Sequence, residues 1–186
     1  YFLQNKPKQA LAACDQALQL DPENVDVFEL KSDILLANKK FKEAFFYIQK
    51  MAELNPDSIK TAYSFANYYF QIGDNNKAME FTISALGMDA QHLGTNVLMG
   101  RLQLIQGNIT EAEYHARLAI MLNPSSREAL ALFADVKARN NIFLGIWWKF
   151  NAKVSRMKPL NQVAVLIFAY VFFNLLSNIV FDFGYT

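Results

Sequence analysis

The sequence of 186 residues contains one cysteine, two histidines, seven glycines and five prolines, and only 19% of it is charged. Each scarcity excludes something. One cysteine cannot build a disulfide framework or a cysteine-based zinc or iron–sulfur site. The two histidines, His92 and His115, have no Cys or carboxylate clustered with them at metal-ligand spacing, so neither metal nor cofactor is expected. No phosphate loop, dinucleotide fingerprint or nucleophile elbow is present, and catalytic residues are not expected either. A formal net charge of +1 gives no whole-chain reason to expect nucleic acid. Apolar residues, by contrast, make up 53% of the chain and aromatics 14%, which rules out a disordered composition.

The averages conceal a division. Residues 1–139 carry 14 Lys and Arg against 16 Asp and Glu. Residues 140–186 carry four basic residues and one acid, with 11 of the 26 aromatics and both tryptophans. Two physically different segments are joined.

A period of 34 residues organises the first segment. Pro22, Pro56 and Pro124 follow it, with Ala90 at the missing step. Ala10, Ala44, Ala78 and Ala112 recur at the same interval, as do Ala17, Met51, Ala85 and Ala119. Tyr1, Leu35, Tyr69 and Gln103 form a further column, and Gly73 and Gly107 another. The clearest unit, Ile59 to His92, has Phe65-Ala66, Tyr69, Gly73-Asp74, Ala78 and Ala85 in phase. On these residues the segment resembles the tetratricopeptide repeat (TPR) family over about 1–139.

The resemblance implies an all-α fold, a solenoid of helical hairpins. About four repeats are expected, at 1–24 (partial), 25–58, 59–92 and 93–126, with a capping helix over 127–139. Tyr1 falls at the family's eleventh position, so the first repeat is expected to be cut and the chain to be part of a longer product. Proline after Asp21, Asn55 and Asn123 is expected to break the helices, because it lacks a donor and disfavours helix at the residue before it. Thr110 followed by Glu113 predicts a capping box opening a second helix. Leu30, Phe41, Phe65, Phe81, Leu86, Leu98 and Leu118 are expected to fill the layers between helices, and Cys14 to be a buried thiol.

Resemblance to TPR proteins further implies a groove lined by the first helix of each repeat. Carried over by position, it holds Asp26, Glu29 and Asp33, then Lys60, Tyr63, Asn67, Phe70 and Gln71, then Val97, Arg101 and Leu104. Such a groove suits a protein or peptide partner, with Tyr63 and Phe70 as anchors and Arg101 reaching an acid. The plainer reading is a solvated or neighbour-packed face. Capture of a chaperone's C-terminal carboxylate is disfavoured, since Glu29 and Asp33 would repel it.

In the second segment, 140–159 reads as an amphipathic basic juxtamembrane helix. Trp147, Trp148, Lys149, Lys153, Arg156 and Lys158 suit a membrane interface. Leu160–Phe181 is 22 residues without a formal charge, long enough to span a hydrocarbon core of roughly 30 Å as a helix. Residues 142–181 are therefore expected to meet a lipid bilayer, and 182–186 form a short tail. Asn174, Ser177 and Asn178 share one side of the span, where they favour a helix–helix partner. The basic residues precede the span and none follows it, which predicts a single-pass segment with the TPR domain in the cytoplasm.

The expected function is a membrane-tethered scaffold for protein–protein interaction, not an enzyme. Two other readings stay open. One is a docking or regulatory segment of a larger membrane enzyme or complex. The other is a soluble complex subunit whose apolar tail binds a partner.

Overall fold

A computed structural model of the protein describes residues 6–140. The expected juxtamembrane helix, spanning helix and tail lie outside the described residues, and with them Trp147, Trp148, Lys149, Lys153, Arg156, Lys158, Asn174, Ser177 and Asn178. Among the described residues no helix is long and apolar enough to cross a membrane. The chain divides into two units, Tyr1–Val136 and Lys137–Thr186, and the first contains nearly everything described below.

Eight helices and no strands make up the described residues: α1 (Pro7–Leu20), α2 (Val25–Ala37), α3 (Phe41–Leu54), α4 (Ile59–Ile72), α5 (Asn75–Met88), α6 (Leu93–Gln106), α7 (Ile109–Leu122) and α8 (Arg127–Asn140). Val25, Ile59, Leu93 and Arg127 open one series of helices, 34 residues apart, and Pro7, Phe41, Asn75 and Ile109 open the other. The all-helical TPR-type solenoid expected from the sequence is present.

Two kinds of turn set this spacing. After α1, α3, α5 and α7, the backbone N–H groups of Asp21, Asn55, Asp89 and Asn123 donate to the carbonyls of Ala17, Met51, Ala85 and Ala119. Asn24, Ser58 and His92 then cap α2, α4 and α6 by accepting from backbone N–H groups. The turn without proline, at Ala90, keeps the same form because the Asp89 carboxylate accepts from the Gln91 N–H at 2.8 Å. The other turn needs a left-handed residue. Gly73 and Gly107 supply it at φ 86°, and Lys39 stands at the equivalent place with φ 59°.

Small residues at every hairpin contact allow close approach. Ala44, Ala78 and Ala112 are fully buried, as are Met51, Ala85 and Ala119. Ala66, Ala78, Leu98 and Leu102 form one core cluster, with Tyr63, Tyr69, Phe70 and Phe81 packed against it. Cys14 is buried beside Ala10 and Ile34, and burial pushes its thiol up in pKa, as befits a structural residue.

Two expectations need correction. Leu30 is 47% exposed, whereas its counterparts Ser64, Leu98 and Leu132 are buried. Those three lie on helices that follow another helix of the same series, and among the described residues α2 follows none. Thr110 does not cap α7. The helix already begins at Ile109 after Asn108, which makes no side-chain cap, so Thr110 is one residue inside the first turn. Lys31, at the place of Phe65 and Met99, is buried; its ammonium pairs with Asp15 and lies 4.4 Å from the Tyr47 ring centroid.

Candidate functional site

The first helices of the repeats, α2, α4, α6 and α8, bring the groove residues into columns 34 positions apart. At the α2–α4 end those columns bond to one another. Lys60 pairs with Asp26, one repeat before it, and stands 3.8 Å from Glu29. The Asn67 amide donates to Asp33, again one repeat before, at 3.3 Å. Burial raises the Glu29 carboxyl above its ordinary value, and Lys60 pulls it the other way. Asp33 is pushed up to about 6, first by burial and then by Glu29, with the Asn67 hydrogen bond opposing.

At the other end, α4, α6 and the start of α8 enclose a cavity of about 230 Å³. Tyr63, Asn67, Val97 and Arg101 reach it from the predicted set, together with Leu93, Gly94, Leu98, Ser126 and Glu128. The Tyr63 ring meets His92 edge-on, with centroids 5.0 Å apart. Its hydroxyl end lies against α6, so a Cβ added at Gly94 would come within 2.9 Å of it. Burial raises the phenol well above its ordinary pKa; Asp33 adds to this and Arg101 opposes it, so the hydroxyl stays a proton donor.

The remaining predicted residues are placed differently. Leu104 is buried with Ala112, Ala116 and Leu132, and Val97 joins the same cluster at the cavity wall. Phe70 packs on the α4–α6 core, and Gln71 is exposed at the end of α4. Gly94 and Glu128 were missed, although both continue the column of Asp26 and Lys60 at steps of 34. His92 was also missed as a support for Tyr63.

A buried polar relay backs this end. The Asn96 amide donates to the carbonyls of Ala90 at 2.8 Å and His92 at 3.0 Å, leaving its oxygen to accept from His115 Nδ1 at 2.9 Å. His92 Nδ1 accepts from the Thr95 N–H at 3.2 Å. Burial lowers the pKa of both imidazoles; Asp89 opposes this at His92 and Glu111 at His115. No group of His, Cys, Asp and Glu among the described residues could hold a metal ion.

Residues 37–119 match the family described as anaphase-promoting complex, cyclosome, subunit 3. No curated protein matches the sequence. Among solved structures, the chain is similar to TTC0263, a thermophilic TPR protein of Thermus thermophilus. The TM-score is 0.67 at 13% identity, covering 91% of this chain and 93% of that one. YrrB, a TPR protein with an unusual peptide-binding site, superposes with a TM-score of 0.51 at 23% identity over 70% of this chain and 68% of its own. The first TPR domain of Spaghetti (RPAP3), bound to the HSP90 peptide SRMEEVD, gives 0.53 at 17% identity over 63% and 93%. With its 34-residue helical pairs and these structural neighbours, the described part of the chain has the fold of a tetratricopeptide-repeat solenoid.

Proposed function

We propose that the protein is an interaction scaffold that binds a peptide or helix of a protein partner on its α2–α4–α6–α8 face, without chemistry of its own. The observation that carries this reading is the cavity at Tyr63, Asn67 and Arg101, where polar side chains converge on open space within an otherwise packed helical array. Two proteins of the same fold are described as peptide-binding or peptide-bound, which supports the choice of ligand class. Tyr63→Ala combined with Arg101→Glu is expected to abolish partner pulldown while circular dichroism stays helical. Undiminished pulldown would place the binding surface elsewhere.

The tail completes the proposal. The uncharged run Leu160–Phe181 and the basic, aromatic stretch before it support a bilayer anchor that confines the groove to the cytoplasmic surface. Retention of the chain in membranes through carbonate washing, and release only by detergent, is the expected result. Release by carbonate alone would favour a second reading, a soluble subunit whose tail packs on a partner. The match of 37–119 to a complex subunit speaks for that reading.

A further inference from the structure

We infer that His92 is a positioning residue for the cavity. As a neutral acceptor it caps α6 and braces Tyr63, and one added proton releases both, so the cavity wall responds to acid. This regulation rests on the peptide-groove reading for its use, whereas the device itself is tested without a ligand.

The residues before α2, α4, α6 and α8 stand 34 apart, and each accepts from a backbone N–H of its helix. Asn24, Ser58 and Ser126 accept through oxygen. His92 accepts through Nδ1 from the Thr95 N–H at 3.2 Å, with the Thr95 hydroxyl 2.6 Å from the same nitrogen. A backbone N–H only donates, so Nδ1 is bare and Nε2 carries the proton. Protonation fills Nδ1. The Thr95 hydroxyl can turn to accept from it, but the N–H of this fully buried residue then has no acceptor. The added charge also sits at a helix N-terminus, where the macrodipole opposes it.

The other histidine is arranged the opposite way. The Asn96 amide nitrogen donates to two carbonyls, so its oxygen faces His115, whose Nδ1 must donate. A proton added to His115 goes to Nε2 and leaves that bond intact. Of the two imidazoles, only His92 loses a bond by gaining a proton.

Tyr63 stands on the turn that His92 caps. Its ring meets the His92 ring with centroids 5.0 Å apart, and its hydroxyl end rests on Gly94, two residues after the cap. Leu93 and Gly94, the first two residues of α6, line the cavity with it. Loss of the cap frees that first turn, and both supports of Tyr63 go with it. The charges around His92 do not reverse this. Asp89, in the turn before α6, favours the cation, but burial outweighs it. From α4 comes the neutral Tyr63 phenol and from α7 His115 through Asn96, while Arg101 and Glu128 line the cavity with opposite charges. The change therefore falls below the ordinary imidazole value of 6.5.

The full chain, carrying 3-fluorotyrosine, is followed in detergent by fluorine NMR from about pH 7.5 to about pH 5. Tyr63→Phe assigns the Tyr63 signal. That signal is expected to shift with one midpoint below 6.5, matching the titration of the His92 ring protons. His92→Asn keeps an oxygen cap that does not titrate, and should hold the Tyr63 signal still across the range. His115→Gln should leave the shift in place. A Tyr63 signal that stays still while His92 titrates, moves equally in His92→Asn, or moves only together with every other tyrosine would overturn the device. Partner pulldown indifferent to Tyr63→Ala would overturn the groove reading and leave the device standing.

Discussion

The two ends of the groove face are built from the same repeat and behave as opposites. At the α2–α4 end, charged and polar side chains one repeat apart bond to each other. At the α4–α6–α8 end, Tyr63 and Arg101 face open space, and the hydrogen bonding has moved behind them into the Asn96 relay. Backbone spacing is the same throughout. Whether a stretch of the face is closed or open is therefore decided by residue type at equivalent positions: acid against base, or tyrosine against glycine.

Removing the relay should break the comparison most strongly. Asn96→Ala leaves the Ala90 carbonyl and His115 without their partner in a part-buried site, while the His92 carbonyl keeps only the backbone N–H of residue 96, and is expected to cost about 2 kcal/mol. The equivalent residue at the other end is apolar Phe28. The urea midpoint should fall, and hydrogen exchange should quicken in α6 and α7 before α2 and α3. Uniform quickening would mean the ends are not energetically separate.

Protons should sharpen it. Asp33 titrates near 6 when folded against 3.8 when unfolded, so it penalises folding above pH 6 and the penalty disappears as pH falls towards 4. His92 and His115 are held below their ordinary 6.5, so they stay neutral when folded and subtract stability as pH falls below 6.5. After correction for intrinsic exchange rates, protection in α2 should rise between pH 7.5 and 5.5 while protection in α6 falls. Asp33→Asn keeps an acceptor for Asn67, should add about 3 kcal/mol at pH 7.5 and should shrink the α2 response to the part that the raised Glu29 carboxyl supplies. An undiminished response would assign it to another group.

The smallest expected effect concerns the turns. Lys39 occupies a left-handed conformation that glycine supplies in the other two hairpins. Lys39→Gly should stabilise by about 1 kcal/mol, seen as a melting temperature raised by about 3 °C. The reverse change, Gly107→Lys, should lower it by a similar amount.

The fold was legible because the 34-residue period reports directly which residues share a helix face, and Ala44, Ala78 and Ala112 are fully buried where that period demands small side chains. Local boundaries were less so. Thr110 carries a capping signature, but Gly107 and the chain's phase start α7 two residues earlier than a cap there would. Leu30 fits an apolar column, yet burial depends on a preceding helix and not on the column itself. The site was partly legible for the same reason. Position located Tyr63, Asn67 and Arg101, but the partners that hold them, Gly94 and His92, act through distance and ring orientation, which a list of positions does not carry.

The separation of 34 between Asp26 and Lys60, and between Asp33 and Asn67, has a consequence for how such a surface changes over evolutionary time. Excision of one whole period, residues 59–92, would join α3 to α6 with the turn and hairpin phase intact. It would set Asp33 beside Arg101, making an ion pair from a carboxylate that lacked a cation and a cation that lacked an anion. Recombination in units of the period thus rewrites recognition without redesigning the scaffold, and loss of a repeat here would close the open end of the groove.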